Sequence, residues 1–279
     1  MNVSDINITP KEYELISKLV YDRFGINLGG KKQSLVTNRL RKVLVENNFS
    51  TFKDYYQFIL NDKSGNSMDT LINRISTNLT YFARENEHFD FLQKTVLPEQ
   101  FNNPEIKRGK SIRLWCAGCS TGEEPYTLSM VMHESVGVNK EKWKLGILAT
   151  DISAKALKIA EQGRYADGNV EKINSTFKSK YFQKQDQDSW TIKSKIKDII
   201  LFRRLNLMRT EFPFQQKFHS IFCRNVMIYF DVPTREELIK KFSQHMVDGG
   251  YLFIGHSESL GRSNEFFEYV KPAVYRKIK

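Results

Sequence analysis

The sequence predicts an α/β protein: a mostly parallel, Rossmann-like sheet with helices on both faces, preceded by an all-α domain and interrupted by a small antiparallel β insertion. Three observations predict it. From Pro10 to about Thr77 apolar residues recur at helical spacing and no convincing strand occurs. From Ile112 onward short apolar strands alternate with helices. Between Tyr181 and Leu205 that rhythm gives way to short alternating segments. The implied division is a helical domain at 1–77, a connecting segment at 78–104 and an α/β domain at 105–279, with the insertion at about 181–205.

Each element follows from its local pattern. Tyr13, Ile16, Leu19, Val20 and Phe24 are spaced at three and four, as are Phe52, Tyr55, Tyr56, Phe58 and Ile59, and then Met68, Leu71, Ile72 and Ile75. Gly25 and Gly29-Gly30 punctuate the first two helices, and a polar turn from Asn61 to Asn66 precedes the last. Lys31, Lys32, Arg39, Arg41 and Lys42 share the second helix with Leu35, Val36, Leu40, Val43 and Leu44. That basic set reads equally as a solvated face or as a docking surface for an acidic partner. Past Arg84 a helix holding His88, Phe89 and Phe91 leads to Pro98 and a polar loop from Asn102 to Lys110. Strands are expected at Ile112–Cys116, Leu145–Ala149, Ser220–Cys223 and Tyr251–Gly255, the last following an Asp248-Gly249-Gly250 turn. Helices are expected at Pro125–His133, Ala154–Gln162 and Arg235–Met246.

Composition narrows the class. With 279 residues, 40% of them hydrophobic, the chain can bury a sizeable core. Its formal charge of +11 asks for an acidic partner: nucleic acid, anionic lipid or an acidic protein surface. No apolar run is long enough to span a bilayer, and Met1-Asn2-Val3-Ser4-Asp5 lacks a secretory layout, so a cytoplasmic protein without direct membrane insertion is expected. Cys116-x-x-Cys119 has neither a second cysteine pair nor a nearby histidine cluster to complete a tetrahedral site, so no metal is expected.

In open sheets of this kind ligands bind beyond the carboxyl ends of the strands. Gly118, Gly122 and Glu124 follow the first strand, and Asp151 follows the second. Asn225 and Val226 end the strand Ile221-Phe222-Cys223-Arg224, and His256, Ser257 and Glu258 follow the last. A pyrophosphate-binding turn offers bare N–H groups at a helix start, whereas this one places Glu123 and Glu124 there, which points to a cationic ligand without phosphate. Asp151 can take two ribose hydroxyls, the favoured reading over its use as a cap on the next helix. Glu124 would equally be a first-turn acid stabilised by the helix dipole. The chain has neither the G-x-G-x-x-G run of dinucleotide sites nor the G-x-x-x-x-G-K-[ST] of nucleotide triphosphatases. S-adenosyl-L-methionine fits what remains: a ribose, an adenine and a sulfonium cation. Transfer of its methyl group to an acceptor already anionic needs alignment and exclusion of water more than acid–base equipment.

Six motifs carry a closer resemblance. They are Thr77-Asn78-Leu79-Thr80-Tyr81-Phe82-Ala83-Arg84-Glu85, Ala117-Gly118-Cys119-Ser120-Thr121-Gly122-Glu123-Glu124-Pro125-Tyr126, Ala149-Thr150-Asp151-Ile152, Asn206-Leu207, Phe222-Cys223-Arg224-Asn225-Val226-Met227-Ile228-Tyr229-Phe230-Asp231 and Gly255-His256-Ser257-Glu258. With these the chain resembles, over nearly its whole length, the chemotaxis receptor glutamate methyltransferase (CheR) family. The resemblance implies an S-adenosylmethionine-dependent protein-glutamate O-methyltransferase that acts on chemoreceptor cytoplasmic helices, releases S-adenosylhomocysteine and works as a monomer without nucleic acid. It implies that Asn78, Thr80 and Arg84 reach the cofactor from the connecting segment, with Glu124 near the cofactor's amino-acid end and Asp151 on the ribose. Asn206, Leu207, Asn225 and Val226 would line the adenine and methionyl pocket, beside Gly118, and Arg84 and Tyr229 would lie closest to the transferred methyl. Guanidinium binds carboxylate bidentately, which suits Arg84 as the clamp on an acceptor glutamate. Ala83 departs from the second aromatic usual there, so looser packing of the connection is expected. In the family the small sheet can tether a receptor tail, but no residue here decides that. Two other readings stand beside this one: a cofactor-binding scaffold without turnover, which intact Arg84 and Tyr229 disfavour, and a nucleic-acid methyltransferase. Asn225-Val226-Met227-Ile228-Tyr229 lacks the Asn/Asp-Pro-Pro-aromatic motif or catalytic cysteine of the latter.

Overall fold

A computed structural model describes residues 6–30, 32–137, 142–171, 173–261 and 264–278. Four helices form the amino-terminal part: α1 (Pro10–Phe24), α2 (Gln33–Glu46), α3 (Phe52–Asn61) and α4 (Asn66–Ile75). Capping boxes at Thr9/Glu12 and Thr51/Asp54 satisfy the first amides of α1 and α3. The apolar stripes close on one another around Ile16, Val20, Val36, Leu40, Leu44, Phe52 and Leu71, all buried.

The connecting segment folds back through a helix at Glu87–Phe91, a π turn at Leu92–Val96 and a helix at Leu97–Asn102. Pro98 explains the π turn. It has no N–H to donate, and the ladder widens just before it, so that the Leu97 amide bonds to Leu92 O. The expected polar loop from Asn102 to Lys110 instead contains a helix, Pro104–Gly109, capped by Asn103. Asparagine followed by proline is a helix start as readily as a loop.

Among the described residues ten strands follow: β1 (Ser111–Ala117), β2 (Lys144–Asp151), β3 (Arg164–Ala166), β4 (Phe182–Lys184), β5 (Ser189–Ile192), β6 (Ile200–Arg204), β7 (Phe218–Cys223), β8 (Met246–Ile254), β9 (Phe267–Lys271) and β10 (Val274–Lys277). Seven form the central sheet in the order β6-β2-β1-β7-β8-β10-β9. The first five run parallel, and β10 and β9 pair antiparallel at one edge. Trp115 on β1 is fully buried, packs edge-on against Phe212, Phe214 and Phe242, and donates from Nε1 to Thr150 Oγ1 at 2.9 Å.

Three placements differ from expectation. The insertion spans β3, β5 and β4, a three-stranded sheet reaching back to Arg164, not a unit confined to 181–205. Ile199-Ile200-Leu201-Phe202 leaves it altogether: β6 pairs in parallel with β2, from Ile147↔Ile200 to Asp151↔Arg204. Local alternation cannot tell an edge strand of the main sheet from a strand of the insertion, because only the long-range partner distinguishes them. Asp248-Gly249-Gly250 lies inside β8, not before it, next to a register irregularity against β7.

The helical part docks on the carboxyl end of the sheet. Asn27 N donates to Tyr229 O at 2.7 Å, Asn206 Nδ2 to Arg23 O at 2.7 Å, Ser153 Oγ to Asn73 Oδ1 at 2.7 Å and Arg204 Nη1 to Asp69 Oδ2 at 2.7 Å. Gly25, which ends α1 at φ +70°, lets Met208 approach: a Cβ there would stand 2.3 Å from the Met208 sulfur.

Candidate cofactor and acceptor site

Between the helical part and the strand ends lies a cleft of about 1220 Å³, counting its open mouth. Asn78, Thr80, Arg84, Gly118, Glu124, Asp151, Asn206, Leu207, Asn225, Val226 and Tyr229 all line it. The structure therefore brings these eleven residues together from five separate segments, whereas Gly122, Glu123, His256, Ser257 and Glu258, also named at strand ends, do not line the cleft.

The first turn sets the floor. Gly118 has φ +92°, and a Cβ there would fall 2.4 Å from Val226 Cγ2, so the turn closes against the β7 loop only with glycine. The amides of Gly118 and Cys119 both bond to Thr150 O, at 2.8 and 2.9 Å, which ties this turn to the end of β2. The two acids after it part company. Glu123 is buried beneath the helix Glu123–Val136 and accepts from Thr121 Oγ1 at 2.6 Å, and burial pushes its carboxyl up. It does not line the cleft, contrary to the expectation that both acids replace a phosphate, because one step along a helix turns a side chain by about 100°. Glu124 does line it. Its Oε1 accepts from the Cys116 thiol at 3.0 Å and its Oε2 from Arg224 Nη1 at 2.7 Å.

Asp151 has both a structural and a pocket-facing character. Its Oδ1 accepts from Ser153 N and its Oδ2 from Ser120 N, each at 2.8 Å, while the helix cap itself is Ser153, which accepts from Ala156 N. Burial pushes the Asp151 carboxyl up against those two amide bonds, which favour the ionised form. Each carboxylate oxygen has a second lone pair, which leaves acceptor capacity for a diol.

Asn206 and Asn225 are more committed than expected. Asn206 donates to Arg23 O and accepts from Met208 N at 3.0 Å. Asn225, at φ +57°, donates from its backbone to Glu258 Oε2 at 2.9 Å and from Nδ2 to Glu85 Oε1 at 3.3 Å. Their side chains shape the wall, and Leu207 and Val226 give it an apolar surface. Asn78 contributes its backbone, whose carbonyl accepts from Ser120 Oγ at 3.0 Å.

At the mouth, Arg84 is half-buried, with Nη1 on Leu79 O at 2.8 Å and its guanidinium carbon 5.9 Å from the Tyr81 ring. None of the ion pairs among the described residues uses Arg84. Phe82 anchors this segment, meeting Tyr165 and Phe182 of the small sheet edge-on at 4.9 and 5.3 Å. Ala83 takes φ +57° where a looser connection is expected, and its amide donates to Thr127 Oγ1 at 3.4 Å.

The basic set resolves into distinct uses. Lys31 lies outside the described residues. Lys32 lines the cleft, donates to Asn27 O at 3.1 Å and stands 5.9 Å over the Tyr229 ring. Arg39 also lines it, bonded to Ile75 O and Ser76 O and to Thr77 Oγ1 at 2.8 Å. Arg41 fastens Ile6 O and Asn7, while Lys42 pairs with Glu46 at 3.7 Å on the exposed face. The arginines are tethers, so they make no continuous docking stripe.

Two features were not foreseen. Arg224, directly after β7, is a fully buried cation between Glu124 and Glu85; the only sequence signal was a charge closing an apolar run. Glu85, His88 and His256 bring a carboxylate oxygen and two imidazoles within 4.8 Å of one another, although no histidine cluster was evident from spacing. The Glu85 oxygens there already accept from Arg224 and Asn225. Burial, with the charges of Arg224 and His256, pushes His88 down to about 3. The cysteines are free and buried, and burial raises their thiols, so Cys116-x-x-Cys119 behaves as packing.

Comparison with known proteins identifies the family. Residues 78–276 match the family model described as CheR methyltransferase, SAM binding domain, and residues 11–76 match CheR methyltransferase, all-alpha domain. A chemotaxis protein methyltransferase of Borreliella burgdorferi is 42% identical over 273 residues, 98% of this chain and 96% of that protein. A probable chemotaxis protein methyltransferase of Rhizobium etli is 34% identical, over 92% of this chain and 96% of its own length. The chemotaxis protein methyltransferase of Escherichia coli is 30% identical, over 96% and 91%.

Proposed function

The chain belongs to the CheR methyltransferase family, a family of S-adenosylmethionine-binding methyltransferases, and on that footing we propose that it methylates glutamate carboxylates on the cytoplasmic helices of chemoreceptors. The observation that carries the acceptor half is Arg84: a guanidinium at the mouth of the cofactor cleft with no carboxylate partner among the described ion pairs. One guanidinium is enough to take an incoming carboxylate by two parallel hydrogen bonds. Lys32 adds a second cation beside Tyr229.

The residues present fit the cofactor. Glu124 offers a carboxylate to its amino group, Asp151 to its ribose, and Leu207 and Val226 an apolar wall to its base. When bound, S-adenosylmethionine supplies an electrophilic methyl group on a sulfonium that leaves as a neutral thioether. Arg84 would hold the acceptor carboxylate by one oxygen edge and leave a lone pair directed at the methyl carbon. No general base is required, since a glutamate of pKa about 4.3 is ionised at neutral pH. Tyr229, fixed through its carbonyl by Asn27, would close the acceptor side and exclude water.

Incubation with methyl-labelled cofactor and receptor cytoplasmic fragments, followed by mild alkali, tests the bond type. A carboxyl ester releases volatile methanol. Alkali-stable label would overturn the glutamate assignment in favour of N- or C-methylation.

A further inference from the structure

Arg224 is the most buried cation of the site, with 1% of its side chain exposed. A buried guanidinium is costly where its donors go unmet; Arg224 Nε has no hydrogen-bond partner among the described residues, and the partners of Nη1 and Nη2 come from two different functional halves. Nη1 donates to Glu124 Oε2 at 2.7 Å, on the cofactor wall. Nη2 donates to Glu85 Oε2 at 3.0 Å and to the backbone carbonyl of Arg84 itself. Both neighbours of Arg84 in sequence, Ala83 and Glu85, sit at positive φ, +57° and +53°, a region that L-residues keep only when their surroundings hold them there. The guanidinium is itself fixed, 5.3 Å from the Phe89 ring, which stacks on Phe222 and through it on Phe253. One rigid fork therefore spans the acid that faces the cofactor and the main chain that presents the acceptor clamp.

Resting on the methyl-transfer reading above, we propose that Arg224 is a positioning residue that couples occupancy of the Glu124 side of the cleft to the placement of Arg84. Charge supplies the coupling. One guanidinium is shared by two carboxylates, Glu85 and Glu124, so the group carries one negative charge in excess until a cationic amino group arrives at Glu124. That arrival balances the cluster and lets Arg224 hold Glu85 and the Arg84 carbonyl in one arrangement. Lysine cannot replace it, because a single ammonium lacks the planar fork that reaches both sides.

Arg224→Lys and Arg224→Ala test this. In the wild type, adding S-adenosylhomocysteine should slow amide hydrogen exchange both at 118–124 and at 81–88. In Arg224→Lys it should slow exchange at 118–124 alone, and kcat should fall by about tenfold or more, the order expected for a lost charge-assisted bond, with a smaller change in cofactor Kd. Methylguanidinium should restore turnover to Arg224→Ala, whereas methylammonium at equal ionic strength should not. Exchange at 81–88 that still responds to ligand in Arg224→Lys would overturn the proposal, as would equal falls in kcat and cofactor affinity with no rescue. If Arg224→Ala fails to fold, the exchange pattern of Arg224→Lys decides. If the wild type methylates no receptor fragment, the proposed function fails, and the exchange measurement still judges the coupling.

Discussion

Arg84 and Arg224, 140 residues apart in sequence, put the same guanidinium to opposite uses. Arg224 is buried and doubly paired, whereas Arg84 lines the cleft with no carboxylate partner among the described residues. Arg84→Ala should therefore lower kcat by about a hundredfold, the order seen when one transition-state donor is lost, while cofactor Kd, read by calorimetry, changes much less. Normal methylation by Arg84→Ala would remove the clamp. Asp151→Ala should act the other way round. It loses a charge-assisted acceptor on the ribose and frees the Ser120 amide, so cofactor Kd should rise about tenfold or more. At this scale the sequence disclosed Glu124 and Asp151 because acids just past strand ends face the ligand crevice. It could not disclose Arg224, whose role depends on Glu85, Glu124 and the Arg84 carbonyl meeting in space, nor that Glu123 turns inward.

At the scale of elements, the glycine turn and helix α2 separate signals that spacing alone had merged. Gly118→Ala should destabilise the fold by about 1–2 kcal/mol through its positive φ. It should also weaken cofactor binding, because the new Cβ pushes Val226, which lies 2.4 Å from where it would stand. Chemical denaturation together with calorimetry separates the two effects, and unchanged affinity would detach this turn from the cofactor. On α2, Lys42→Glu should leave the receptor KM within about twofold, since an exposed lysine paired to Glu46 contributes little. Lys32→Glu should raise that KM, because Lys32 faces the cleft beside Tyr229. Helical periodicity located the four amino-terminal helices, yet it could not tell that Arg39 and Arg41 turn inward to backbone carbonyls. The β insertion shows the same limit: β3 is three residues long, too short for a pattern, and β6 reveals itself only through its pairing with β2.

For the whole molecule, the seven-stranded sheet positions the loops and the helical part closes over them through Asn27, Arg23, Asn73 and Asp69. Strand–helix alternation made four of the five parallel strands legible, all but β6. The antiparallel edge of β9 and β10 was not, because neither the Phe267–Lys271 nor the Val274–Lys277 stretch has a helix beside it to complete a β–α unit. Global stability should depend on pH through two buried histidines. Burial, with nearby cationic charge, pushes His88 down to about 3 and His219 to about 4, against about 6.5 when unfolded. Below pH 6.5 the unfolded chain takes up protons that the folded chain refuses, so the unfolding free energy should fall as pH drops from 6.5 to 5. The fall should be up to about 1.4 kcal/mol per pH unit for each histidine. His88→Leu should flatten that slope by about half in urea titrations, and an unaltered slope would mean that His88 accepts its proton within the fold.

In the proposed reaction a carboxylate, held at Arg84, receives the methyl group. Peptide mapping of receptor cytoplasmic fragments after incubation with S-adenosylmethionine tests it most directly. One added methyl per modified glutamate is expected, removed by mild base and lost in Arg84→Ala; methylation confined to lysine, arginine or asparagine would overturn the carboxylate assignment.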